Sequence, residues 1–188
     1  FAASLAAFYQ QIPVGHVEAG LRTYDKYSPY PEEMNRIMTG HIADLHFAPT
    51  ERNRQNLIRE GIPDKGIYIT GNTVIDALLQ VAGKPYDFED ETLKKINFDN
   101  RRVLTVTCHR RENLGENMEQ IFTAIRDIAA EFLDTEIVYP VHMNPKVRET
   151  AGKILGKAQR IHLIEPLQYQ PFVNLMAKSH LIITDSGG

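Results

Sequence analysis

The feature that most restricts this chain is a set of four short, continuously apolar and β-branched runs in its second half, at 103–107, 137–141, 161–164 and 181–184. Strands that are apolar on both faces belong in a parallel sheet covered by helices on both sides, because neither face can be left to water. The segments between the runs supply those helices. Met118, Ile121, Phe122, Ile125, Ile128, Ala129 and Phe132 recur at steps of three and four and make one apolar stripe, with Asn117 and Gln120 placed as a capping pair. Asn144-Pro145 and Gln170-Pro171 put a proline where a first helical turn tolerates it, and Phe172, Val173, Leu175 and Met176 follow at helical spacing.

The first half repeats the alternation in shorter pieces, with strands expected near 13–17, 45–48 and 67–70 and helices near 32–42, 50–60 and 73–81. Thr50 followed by Glu51 reads as a helix N-cap, and Gly61 stands where a C-cap would be. Residues 83–100 are polar, carry Pro85 and lack a sheet pattern, so they read as a linker region. The pattern predicts an α/β chain of two Rossmann-like halves, each incomplete, facing across a cleft. The expected divisions are 1–72, a linker helix and connection over 73–100, and 101–188. Residues 1–9 read as a helix entered midway, and Asp185-Ser186-Gly187-Gly188 stands where a further helix should open, so the chain is expected to continue at both ends.

A hydrophobic content of 43% over 188 residues is enough to bury a core. The formal net charge of -3 gives no positive excess for a phosphodiester backbone, so nucleic acid is not an expected partner. The single cysteine, Cys108, excludes an internal disulfide framework and a thiolate-rich zinc site, and fits a reducing, cytoplasmic compartment. It reads as a small buried residue rather than a nucleophile. No apolar run reaches the roughly 18 to 20 residues that span a bilayer. The histidines stand apart from one another, so no metal site is expected, and His41 and His46 read as packing or surface residues. No Gly-x-Gly-x-x-Gly follows a strand, so no dinucleotide cofactor is expected.

Ligands of open parallel sheets bind beyond the carboxyl ends of the strands. Here those positions hold His16 and Glu18, Thr50, Gly71 and Asn72, His109 with Arg110 and Arg111, His142, Glu165, and Asp185 with Ser186. Two guanidiniums beside an imidazole at 109–111 concentrate positive charge suited to a diphosphate; the alternative is a solvated loop with an ion pair to Glu112. Ser186-Gly187-Gly188 is either a plain turn or a place where backbone amides meet a phosphate at a helix N-terminus. Glu18 is either an acid or base in a cleft, on the same side as His16 if the strand extends that far, or a structural partner of Arg22. Glu32 and Glu33 open a helix and could simply favour its dipole.

Six segments taken in order closely resemble the non-hydrolysing UDP-N-acetylglucosamine 2-epimerases: His16-Val-Glu-Ala-Gly-Leu-Arg22, Pro31-Glu-Glu-Met-Asn-Arg36, Thr70-Gly-Asn-Thr-Val-Ile-Asp76, His109-Arg-Arg-Glu112, Tyr139-Pro-Val-His142 and Thr184-Asp-Ser-Gly-Gly188. The resemblance covers essentially the whole chain and corresponds to about the middle half of a full-length member. It implies a glycosyltransferase-B type fold, with the back part of the N-terminal domain followed by the front part of the C-terminal, UDP-binding one. It also implies interconversion of UDP-N-acetylglucosamine and UDP-N-acetylmannosamine by loss and re-addition of UDP through 2-acetamidoglucal, without a redox cofactor.

By the same resemblance Glu18 and Glu32 are the acid/base carboxylates and His109 acts near the phosphates. Arg110, Arg111, Phe172, Ser186, Gly187 and Gly188 bind substrate, Phe172 beside the uracil. His142, with Arg110 or Arg111, resembles part of a second, activating UDP-N-acetylglucosamine site. The family pattern adds an aspartate before Phe1 and a glutamate and an arginine after Gly188, so the 188-residue piece alone is expected to be inactive. It further implies a homodimer and a role in cell-surface polysaccharide synthesis. The competing functions are a UDP-sugar glycosyltransferase of the same fold and a non-catalytic UDP-sugar-binding module.

Overall fold

In a computed structural model that describes residues 1–186, the short apolar runs pair as two parallel sheets. They belong to two compact units, Phe1–Leu79 and Gln80–Gly188. The elements of the first run α1 (Ala2–Tyr9), β1 (Gly15–Val17), α2 (Glu32–Ile42), β2 (Leu45–Ala48), α3 (Glu51–Arg59), β3 (Ile67–Ile69) and the start of α4 (Thr73–Ala82). Its sheet has the order β1-β2-β3, with His16 paired to His46 and Ala48 to Ile69. Ala19, Ala48, Leu57 and Ile67 form its core, because α3 lays Leu57 on the sheet. The Thr50 hydroxyl caps α3 by accepting from the Asn53 amide at 3.3 Å, and Gly61 takes a φ of +85° just past its end, as the sequence indicated.

The second unit contains β4 (Arg102–Thr107), α5 (Glu116–Glu131), β5 (Thr135–Pro140), α6 (Pro145–Leu155), β6 (Ile161–Ile164), α7 (Tyr169–Lys178) and β7 (Leu181–Thr184), with strand order β6-β5-β4-β7. Alternation along β4 and β5 divides the core. Leu104, Val106, Ile137 and Tyr139 pack with Met118, Phe122 and Ile125 of α5 and Val147, Ala151 and Leu155 of α6. Val103 and Val138 pack with Leu175 of α7, so α7 covers the opposite face. The chain steps from β4 outward to β6 and then returns to the far side of β4 as β7. The strand order therefore reverses between β4 and β7, which makes their carboxyl ends the topological switch point of this sheet.

One local expectation is corrected. Asn117 and Gln120 do not cap α5: the N-cap is Gly115 at φ +94°, no side chain bonds the first turn, and both residues lie inside the helix. The helix begins early because a short 3-10 turn, Arg111–Asn113, delivers the chain there and Glu116 and Glu119 favour the N-terminal dipole. Residues 83–100 form no strand, yet they pack as part of the second unit. Phe88 and Leu93 are buried against Val103, Val138, Ile164 and Leu175, Phe98 stacks on Phe88 at 5.4 Å, and the Lys178 ammonium lies 5.2 Å from the Phe88 ring centre.

Candidate active site

In the second unit, the exits of β4 and β7 are tied together by side chains and backbone. The Thr107 hydroxyl donates to the Thr184 hydroxyl at 2.8 Å, and the Asp185 amide donates to the Thr107 carbonyl at 3.1 Å. Asp185 Oδ2 accepts from the His109 amide at 3.0 Å, the Arg110 amide at 2.8 Å and the Asn113 side-chain amide at 3.1 Å. Burial alone would raise the Asp185 pKa, but donors from Arg110, Asn113, Cys108 and His109 outweigh it and hold the carboxyl below the usual carboxylate range. Burial and the neighbouring Asp185 charge push the Cys108 thiol up to about 12, so it stays protonated at neutral pH and is a buried packing residue.

The turn so anchored presents the His109 imidazole, exposed, stacked on the ring of His142 with centroids 5.2 Å apart and planes 9° from parallel. His142 Nδ1 accepts from the Asn144 amide at 3.1 Å, which assigns the ring proton of its neutral form to Nε2. The Arg110 guanidinium donates to the Ser186 hydroxyl at 3.2 Å. Among the described residues neither Arg110 nor Arg111 pairs with Glu112, so the alternative of a local ion pair is not what the loop adopts. His109, Arg110, Ser186 and His142 are thus brought together. Phe172 sits partly buried in the first turn of α7, after β6, and makes no hydrogen bond to this group among the described residues. Gly187 and Gly188 lie outside the described residues.

The first unit holds the two carboxylates singled out from sequence. β1 stops at Val17, so strand alternation does not carry on to Glu18; instead Glu18 is exposed with a φ of +61°, a left-handed conformation unusual for a side chain of its kind. The residues after it fix it there. Ala19 is buried and its amide donates to the Phe47 carbonyl at 3.1 Å. The Gly20 carbonyl accepts from the side-chain amides of Asn53 at 3.2 Å and Asn56 at 2.9 Å. Gly20 itself has φ +82°, and a Cβ there would lie 2.2 Å from the Asn53 carbonyl oxygen, so only glycine fits.

Arg22 does not pair with Glu18. Its guanidinium is buried and forks onto Glu60, Nε and Nη2 each donating at 2.7 Å. Glu32, exposed, is the first residue of α2. Its neighbour Glu33 is fully buried and accepts from the amides of Thr23 and Tyr24, both at 2.9 Å. The adjacent carboxylates therefore do different things: one faces solvent at a helix N-terminus and the other fastens the loop that leads back from Glu18. Deeper in, burial and then the neighbouring His46 lower the His16 pKa to about 4, and burial lowers that of His46 as well. His46 is buried and His41 exposed.

Among the described residues no three His, Cys, Asp or Glu side chains are grouped to hold a metal ion, and no helix is long and apolar enough to cross a membrane. A surface hollow of about 490 Å³ is lined by Ile96, Arg101, Glu136 and His162 at the amino ends of β5 and β6, away from the switch point.

Fold and site together define an open, parallel-sheet α/β protein with cationic and hydroxyl groups gathered at a topological switch point, the place where proteins of this class receive their ligands. The model of one family, UDP-N-acetylglucosamine 2-epimerase, matches residues 1–188, and the chain belongs to that family. It is 57% identical over 188 residues to the UDP-N-acetylglucosamine 2-epimerase of Bacillus subtilis, covering 100% of this chain and 48% of that protein. With the enzyme of the same name from Escherichia coli K12 it shares 54% identity over 192 residues, covering 100% and 51%.

Among solved structures, it is similar to the S. aureus MnaA–UDP co-structure, at 50% identity and a TM-score of 0.91, over 100% of this chain and 50% of that one. The UDP-GlcNAc 2-epimerase from Neisseria meningitidis bound to UDP-GlcNAc matches at 49% identity and a TM-score of 0.88, over 99% and 51%. The chain spans about half the length of the curated relatives it matches.

Proposed function

We propose that the complete protein interconverts UDP-N-acetylglucosamine and UDP-N-acetylmannosamine. In this reaction a base removes the proton on carbon 2, the bond from carbon 1 to the UDP oxygen breaks, and 2-acetamidoglucal and UDP remain. Return of UDP to carbon 1 and of a proton to the other face of carbon 2 completes an isomerisation in which nothing is oxidised or reduced. The observation that carries this reading is the gathering of His109, Arg110 and Ser186 at the β4–β7 switch point of a chain in this family.

In this reading Glu18 and Glu32 exchange protons with the sugar, and His109 steadies the departing diphosphate. Arg110, Arg111, Ser186, Gly187 and Gly188 bind the phosphates, and Phe172 lies beside the uracil. His142 belongs to a second UDP-N-acetylglucosamine site that activates the enzyme. Support for the carboxylates is that Glu18 is locked at φ +61° and Glu32 heads α2, both open to solvent. Relatives solved with UDP and with UDP-GlcNAc support the ligand. The reading also makes the protein a cytoplasmic homodimer that supplies cell-surface polysaccharide synthesis, in keeping with a lone buried thiol.

The test is to incubate the complete protein with either UDP sugar and follow both by NMR. Approach to one common mixture from both sides is expected. Release of free N-acetylmannosamine, or transfer to an added acceptor, would replace this reading with a hydrolase or a transferase.

A further inference from the structure

Three donors converge on a single oxygen of Asp185, and two of them are the consecutive main-chain amides of His109 and Arg110. A carboxylate inside such a pair of amides restrains the backbone itself, not only a side chain. The Asp185 amide is bonded in turn to the Thr107 carbonyl, so β7 grips β4 on both sides of the point where the chain turns outward. From that turn the His109 ring reaches His142, and the Arg110 guanidinium reaches Ser186, the residue after the anchor.

A partly buried negative charge beside a diphosphate site would repel the ligand if its function were to bind it. Here the charge is spent on the turn, and the amides of His109 and Arg110 are already occupied. At this turn, therefore, it is the side chains of His109 and Arg110, not their amides, that are left to meet an incoming anion.

We propose that Asp185 is the positioning residue of the site, acting through His109 by fixing the backbone from which the imidazole projects. This rests on the reading of His109 as catalytic. Displacing a catalytic group by about 1 Å can cost on the order of 10²-fold in rate, so the tether has a kinetic signature distinct from general stability.

The experiment is a double-mutant cycle in the complete protein, with kcat for interconversion of the two UDP sugars as the readout. Asp185→Ala is expected to lower kcat about 10- to 100-fold when His109 is present and less than about 3-fold in a His109→Ala background. Equal losses in both backgrounds, or no loss with His109 present, would overturn the proposal. If Asp185→Ala does not fold, Asp185→Asn carries the same cycle. It keeps a planar group and an acceptor oxygen, and is expected to lose about 5-fold, again only with His109 present.

Hydrogen exchange tests the tether without activity. The amides of His109 and Arg110 are expected to be protected in the parent protein and to lose that protection in the Asp185 variant; unchanged protection would also overturn the proposal. A parent protein that interconverts no UDP sugar would remove the functional reading, while the exchange measurement would still decide whether Asp185 holds the turn.

Discussion

The imidazoles of His109 and His142 lie face to face, 5.2 Å between centroids and 9° from parallel, although the two residues follow different strands. β4 and β5 are hydrogen-bonded neighbours, so their exits deliver the two rings side by side. A residue of the proposed activating site thus forms one wall of the proposed catalytic one.

Loss of that wall should be felt in turnover as well as in activation. His142→Ala in the complete protein is expected to lower kcat about 2- to 13-fold at saturating substrate, the range of an aromatic pair worth roughly 0.5–1.5 kcal/mol, and His142→Phe to recover most of it. Steady-state kinetics of the two variants checks this. An unchanged kcat with only a flattened substrate dependence would confine His142 to activation.

Glu18 is where stability and chemistry should part. A side chain held at φ +61° carries backbone strain that glycine does not, so Glu18→Gly is expected to stabilise the fold by about 1 kcal/mol while abolishing turnover. Glu18→Gln, which keeps the strain, should lower turnover by about 10²-fold or more with little change in UDP affinity. Denaturant unfolding and calorimetry with UDP separate the two effects; a Glu18→Gly variant destabilised by more than about 1 kcal/mol, the most that glycine's extra freedom in the unfolded chain accounts for, would mean that the left-handed backbone at Glu18 stores no strain.

Two residues on, the tolerance is opposite. Gly20→Ala would drive a Cβ to 2.2 Å from the Asn53 carbonyl at a φ of +82°, and is expected to cost about 3 kcal/mol or more. Because Gly20 also accepts from Asn53 and Asn56, the exit of β1 should loosen with it, and activity should fall together with the unfolding midpoint.

Acid should weaken the first unit through His16. Its pKa falls from 6.5 to about 4 on folding, because of burial and then of His46, with Arg22 and Arg36 adding to the effect. Between those values the unfolded chain binds more protons than the folded one. This contribution is therefore complete above about pH 6.5 and is lost as pH falls toward 4. His46, shifted the same way, adds to the trend, which Asp44 and the Ala43 backbone partly oppose. His16→Gln is expected to flatten the pH dependence of stability across that window; an unchanged slope would mean that His16 does not carry it.

Most elements were legible because their signals are local. The apolar runs that became β2, β6 and β7 coincide with the strands, Thr50 caps α3 and Pro145 opens α6. Asn117 and Gln120 misled because their spacing matches a capping pair, while the helix had already started at Glu116 behind a left-handed glycine. The packing of residues 83–100 was not legible, because Phe88, Leu93 and Phe98 follow no strand or helix period and each finds its apolar partner by tertiary contact.

Within the site, residue types at strand ends pointed to His109, Arg110 and Ser186. The roles of Asp185, Glu33 and Glu60 could not be read in the same way. Asp185 bonds amides 75 and 76 positions away, and Glu60 takes Arg22 across 38. Glu33 carries the same side chain as its neighbour, and only burial distinguishes it from Glu32. The pair from Arg22 to Glu60 also displaces the pairing of Arg22 with Glu18 that adjacency suggested.

The proposed chemistry depends above all on Glu18 taking part in proton movement at carbon 2 of a UDP sugar. NMR of UDP-N-acetylglucosamine incubated in deuterium oxide, with the complete protein and separately with its Glu18→Gln variant, reads that step. Deuterium is expected at carbon 2 of both UDP sugars with the parent protein, and incorporation slowed by about 10²-fold or more in the variant. Equilibration of the two sugars without deuterium uptake, or uptake at the parent rate in the variant, would refute it.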